Sequence, residues 1–245
     1  MKGILYIGHG TRSKKGAEEV RAFINNIMSQ INVPIQELCF LELTSPSIEE
    51  GFQRCVERGA TIITIVPLFL LAAGHIKEDI PLALSGLKEK YPHIQIEVKD
   101  PFGVQEQILD GVSELIKNEA HSLTELDSVL IVGRGSSDPA IQHAFKEIAV
   151  GIGERINSKQ ITVCYLAASE PAFADSLESV SQHTPGRVIV VPYLLFPGLL
   201  LSEIDKSVRL RQKKGQSISH TGPLCKHQII EEIVTRRATE EDIPL

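Results

Sequence analysis

Three side chains in the first third of the chain have the chemistry to hold or deprotonate a ligand. His9 lies between two glycines where the apolar run ILYI ends, Glu42 closes the run LCFLE, and His75 follows VPLFLLAAG. A strand that stops at Gly-His-Gly lets backbone approach a ligand and leaves one titratable side chain beside it. A carboxylate at the end of an apolar run is costly to bury unless a proton or a cation compensates it. Two imidazoles and a carboxylate form a mixed nitrogen and oxygen set that suits iron(II), cobalt(II), nickel(II) or zinc. With three protein donors, coordination positions stay open, so the set can exchange a metal as well as hold it. Either imidazole could equally act as a base.

These residues must be positioned by something, and the surrounding pattern shows what. Short continuous apolar runs alternate with amphipathic stretches: GILYIG then AEEVRAFINNIMSQI, PIQELCFLE then PSIEEGFQRCVERG, ATIITIVPLF then IKEDIPLALSGLKEKY, IQIEVKD then VQEQILDGVSELIKNEA. Such runs are strands buried on both faces, which predicts a parallel sheet covered by helices. The pattern restarts at DSVLIVGRGSSDPA with an offset of 125 residues. At that offset Leu5, Gly8, Gly10, Leu41, Pro46, Val66, Pro67, Leu70 and Glu78 meet identical residues. The expected fold is therefore α/β, two tandem duplicated doubly wound domains with four-stranded parallel sheets and an active cleft between them. The polar HSLTELD puts the break near 124, giving domains 1–124 and 125–245, with LCKHQIIEEIVTRRA a candidate to pack back onto the first.

The repeat also isolates the chemistry. His9 falls on Arg134, Glu42 on Ala167 and His75 on Leu200, so the three metal-capable groups occur only in the first copy. Each follows the carboxyl end of an expected parallel strand, the edge where open α/β sheets bind ligands. Among other groups, His93 and His121 lie near helix ends, His183 precedes Pro185, and His220, Cys225 and His227 have no zinc-motif spacing.

Composition narrows the classes further. The chain has 245 residues, a net charge of −6, 42% hydrophobic and 23% charged residues, the profile of a globular protein rather than a nucleic-acid binder. Four cysteines, Cys39, Cys55, Cys164 and Cys225, have no C-x-x-C spacing, and three of them sit in apolar patterns as buried thiols, which indicates a reducing, cytoplasmic setting. Neither a signal peptide nor a membrane span is expected. GHGTRSKKG is not a dinucleotide or P-loop motif, GRGSS is not a nucleophile elbow, and Gly8 stands where a histidine phosphatase would carry arginine.

ILYIGHGTR, FLELTSPSIEEG and VPLFLLAAGHIKEDIP, together with the duplication, resemble the class II chelatases, specifically the sirohydrochlorin chelatases, over essentially the whole chain. The resemblance implies a lyase that inserts a divalent metal, iron(II) foremost, into sirohydrochlorin to form siroheme. Cobalt(II) insertion for cobalamin synthesis is the alternative, and a metal or tetrapyrrole carrier without turnover is the alternative of another class. It assigns His9 and His75 as metal-site histidines and Glu42 as the accompanying acid. No organic cofactor is expected, the metal (Fe2+, Co2+ or Ni2+) being a substrate. Some long cobaltochelatases carry a histidine-rich tail and a cysteine motif for an iron–sulfur cluster; ATEEDIPL carries neither, which favours the iron enzyme and no cluster. The proton acceptor among His9, Glu42 and His75 stays open. For the polycarboxylate ring, the sequence offers Arg12, Lys14, Lys15 and Arg134 as cations and helix-start amides after Thr11, Ser45 and Ser136 as donors. Leu68, Leu70 and Leu71 face either the ring or the core. The partners expected are the tetrapyrrole and the metal alone, with no nucleic acid or membrane, on a monomer.

Overall fold

The computed structural model describes residues 1–239, His75 by its backbone alone. The first sheet is built from β1 (Lys2–Gly8), β2 (Ile35–Phe40), β3 (Ile62–Pro67) and β4 (Gln95–Val98), all parallel, in the order β2-β1-β3-β4. Ile4, Leu5, Tyr6 and Ile7 are fully buried, as a central strand covered on both faces requires. Between the strands run α1 (Lys14–Gln30), α2 (Ile48–Glu57) and α3 (Ile80–Lys90). Ser13 caps α1 by accepting from the Gly16 amide at 3.1 Å. Ser47 and Glu50 form a reciprocal capping box at the start of α2, which fixes where the loop after β2 must end. On one face of the sheet Ile63 and Ile65 of β3 share a core with Phe52 and Cys55 of α2 and Leu84 and Leu87 of α3.

The second sheet repeats this plan with β5 (Ser128–Gly133), β6 (Ile161–Tyr165), β7 (Val188–Pro192) and β8 (Ile218–His220), in the order β6-β5-β7-β8. Its helices include α4 (Glu106–Ala120), α5 (Pro139–Ile156), α6 (Phe173–His183) and α7 (Leu199–Lys213), and α8 (Gln228–Thr239) follows. Two parallel four-stranded sheets flanked by helices are the architecture expected from the alternating pattern.

The compact units do not coincide with the sequence repeat. One comprises Met1–Gly103 with the chain from Glu231 on, the other Val104–Ile230. The physical reason lies in α4 and α8. Arg155 of α5 ion-pairs with Glu106 and, at 2.6 Å, with Asp110, while Leu109 of α4 rests where Gly151 of α5 leaves no Cβ. Glu231 of α8 accepts from Asn26 at 3.0 Å and Gln30 at 2.6 Å on α1. The limit near 124 thus marks the repeat, whereas the units part before α4. Residues 240–245, and with them most of the ATEEDIPL stretch, lie outside the described residues.

Candidate active site

In the order β2-β1-β3-β4 the chain runs from β1 outward to β2 and from the neighbouring β3 outward to β4 on the other side, so the crevice of the first unit opens where the loops after β1 and β3 diverge. His9 begins the loop after β1. Leu41 and Glu42 continue β2 beyond its end, their amides donating to the carbonyls of Gly8 at 2.9 Å and His9 at 3.1 Å. That extension brings Glu42 Oε1 to 3.6 Å from His9 Nδ1. Gly10 makes the approach possible: with φ +93°, a Cβ there would sit 1.7 Å from the Glu42 carbonyl oxygen.

His9 Nδ1 also lies 3.3 Å from the Gly10 carbonyl oxygen, which can only accept. A proton on Nδ1, shared toward Gly10 O and the Glu42 carboxylate, makes Nε2 the basic atom of the ring. The imidazole is half-buried, and its ring stands 6.1 Å from that of Phe69 in the loop after β3. That loop leads to His75, whose backbone opens a π-helical turn, His75–Asp79, before α3. Pro81, which lacks an amide donor and crowds the carbonyl four residues back, accounts for the widened turn. Among the described residues, which exclude the His75 side chain, no three His, Cys, Asp or Glu groups are grouped to hold a metal ion.

Of the other residues singled out by sequence, Thr11 donates its amide to Thr44 Oγ1 at 3.0 Å, and its carbonyl accepts from that hydroxyl at 2.9 Å. Thr44 is therefore the residue that the sequence reading missed; its signal was Ser169, a second hydroxyl at the offset of 125. Arg12 is exposed, and the Ser45 carbonyl accepts a hydrogen bond from Arg21. Leu68 is buried in the core, while Leu70 and Leu71 are half-buried.

The second unit carries the same loop pair. Gly135 has φ +92° and would place a Cβ 1.7 Å from the Ala167 carbonyl oxygen; the Ala167 amide donates to Arg134 O at 2.9 Å. Ser169 bonds the Ser136 amide and carbonyl at 3.0 and 2.6 Å. Arg134 is exposed at the place of His9. Of the remaining histidines, His220 accepts from Gly222 N and meets Asp205 at 3.4 Å, and His227 meets Glu114 at 3.0 Å. Cys39, Cys55 and Cys164 are buried, and burial pushes the thiols of Cys55 and Cys164 up to about 12, which keeps them protonated.

The CbiX family model matches residues 3–119 and again 128–241. The chain belongs to the CbiX family. Sirohydrochlorin ferrochelatase from Priestia megaterium is 44% identical over 208 residues, covering 85% of this chain and 78% of that protein. Sirohydrochlorin cobaltochelatase from the same organism is 30% identical over 98% of this chain and 80% of that protein. Among solved structures, SirB from Bacillus subtilis with Fe3+ is 35% identical, with a TM-score of 0.82 over 97% of this chain and 96% of that one. The two CbiX matches correspond to the two copies seen in the sequence, so the second half is a family domain that kept its loops while His9 and Glu42 have no counterparts in it.

Proposed function

We propose that the chain is a sirohydrochlorin chelatase that inserts iron(II) into the ring to form siroheme. The observation that carries this reading is the His9–Glu42 pair on the ligand edge of the first sheet, in a CbiX chain 44% identical to a sirohydrochlorin ferrochelatase. Replacing two pyrrole protons by a divalent metal needs a donor that can release the ion and an acceptor for protons; no electron changes hands. His9, through Nε2, and His75 present the metal to the ring, and Glu42 assists by coordination or by accepting protons. In the proton-accepting role Glu42 also orients His9 through Nδ1, so that His9 serves as metal donor and not as base. Arg134 and Arg12 pair with ring carboxylates, and amides after Thr11, Ser45 and Ser136 add uncharged donors. Metal is consumed as substrate, with no organic cofactor and no iron–sulfur cluster. The protein works as a cytoplasmic monomer; among the described residues no helix is long and apolar enough to cross a membrane. Cobalt(II) is the second metal, on the 30% identity to a cobaltochelatase across nearly the whole chain.

An anaerobic absorbance assay with sirohydrochlorin and iron(II) or cobalt(II) tests the reading. Insertion should exceed the uncatalysed rate and fall by about 100-fold or more in His9→Ala. In Arg134→Ala the expected change is a KM raised roughly tenfold with kcat retained. Ring binding without accelerated insertion by any divalent metal would make the protein a carrier.

A further inference from the structure

Leu43, the residue after Glu42, is held in a conformation that neither its side chain nor the stability of the fold favours. Its φ is +61°, in the left-handed region that leucine rarely occupies. The Thr44 amide donates to the Glu42 carbonyl at 2.7 Å, closing a γ-turn centred on Leu43 with positive φ, the rarer and more strained form of that turn. The apolar side chain is 52% exposed. By contrast Leu41, two residues earlier, packs against the core of the first unit.

Both neighbours of Leu43 are anchored. The Glu42 amide bonds the His9 carbonyl, and the Thr44 hydroxyl bonds the Thr11 amide and carbonyl. The turn tip is thus fixed, and it presents a leucine to solvent directly beside the carboxylate that meets His9. The sister copy is an internal control. Ala168 takes φ +56° at the matching position, so the loop itself needs positive φ but no large apolar group. Strain and exposed apolar surface concentrated at one residue of a rigid loop point to a contact made with something outside the chain.

Resting on the chelatase reading above, we propose that Leu43 is a substrate-contact residue that packs against the apolar face of the tetrapyrrole beside the metal site. A conjugated macrocycle has a flat apolar face and a charged rim, so a leucine next to the metal donors meets the face while cations meet the rim. Leu43 would then set affinity for the ring without touching the metal.

The test uses the full chain with the Leu43→Gly and Leu43→Met variants. Glycine adopts the left-handed conformation without strain, so Leu43→Gly should fold with a Tm no lower than wild type. Absorbance titration with metal-free sirohydrochlorin should show Kd raised about fivefold to tenfold in Leu43→Gly. Leu43→Met, which keeps apolar reach, should stay within about twofold of wild type. Cobalt(II) titration without the ring should be the same in all three. Unchanged ring affinity in a folded Leu43→Gly overturns the proposal, and so does a parallel loss of cobalt(II) affinity. A wild-type chain that binds the ring but inserts no metal would overturn the chelatase reading alone, because the ring titration does not depend on turnover.

Discussion

The loop pair at the end of β1 and β2 and its counterpart at the end of β5 and β6 differ in their chemistry and hardly at all in their scaffold. Both extend the second strand by two backbone bonds, both need a left-handed glycine under a carbonyl, and both close with a hydroxyl latch, Thr44 on Thr11 and Ser169 on Ser136. On that common frame the first copy mounts His9, Glu42 and Leu43, the second Arg134, Ala167 and Ala168. What persisted is what any ligand-edge loop needs to hold its shape; what changed is what decides which part of a ligand it meets. A nitrogen and oxygen pair suits a metal, whereas a guanidinium suits a carboxylate.

The largest effects should come from breaking the shared frame. Gly10→Ala and Gly135→Ala each put a methyl 1.7 Å from a carbonyl oxygen at a φ that alanine disfavours. Each should cost about 3 kcal/mol in denaturant unfolding. Comparable losses in both would confirm one scaffold used twice. If either variant proved neutral, the equivalence of the two loop pairs would fail.

The copies also differ at the start of their central strands, and pH should expose it. Asp127, just before β5, is 3% exposed and holds Arg187 at 2.9 Å along with the Thr124 amide and hydroxyl. Its counterpart at the offset of 125 is Lys2, the first residue of β1. The Arg187 hydrogen bond first, then those of Arg187 N and Thr124, hold the Asp127 carboxyl well below its ordinary value of 3.8, against the opposing effect of burial. A depressed carboxylate stabilises the fold at every pH above its unfolded value, and that contribution drains away as pH falls below about 4. Asp127→Asn should cost about 2 kcal/mol at neutral pH. The difference between wild type and variant should shrink in acid, and a pH-independent difference would show that the pair is not the cause.

Much of this was legible in the sequence because parallel strands buried on both faces leave long apolar runs, and because a duplication keeps its glycines and prolines in register. His9, Glu42 and His75 stood out together because the second copy has none of them. The return of α8 to the first unit was legible in LCKHQIIEEIVTRRA, but the place of α4 was not: amphipathic periodicity shows that EQILDGVSELIKNEA has an apolar face, but not which sheet it covers. The compact packing of Leu109 on Gly151 and the Arg155 clamp exist only in three dimensions. Leu43 was equally hidden, because leucine does not mark a left-handed turn as glycine or asparagine would. The Thr44 latch joins residues 33 apart through one hydroxyl, and only similarity, not identity, links it to Ser169.

That latch gives the smallest effect and the finest test of the comparison. Thr44→Val and Ser169→Ala each remove an accepted and a donated hydrogen bond at a half-buried site, worth about 1 kcal/mol of stability in either copy. In stability the two variants should therefore look alike. In turnover they should part: loosening Thr44 frees the turn that holds Glu42 against His9, so kcat should fall several-fold, about 1 kcal/mol in the barrier. Loosening Ser169 touches only the loop that carries Arg134, so kcat should hold while KM for the ring rises. Equal kcat losses in both variants would mean that the second copy takes part in the chemical step, and that the division of labour drawn between the copies is wrong.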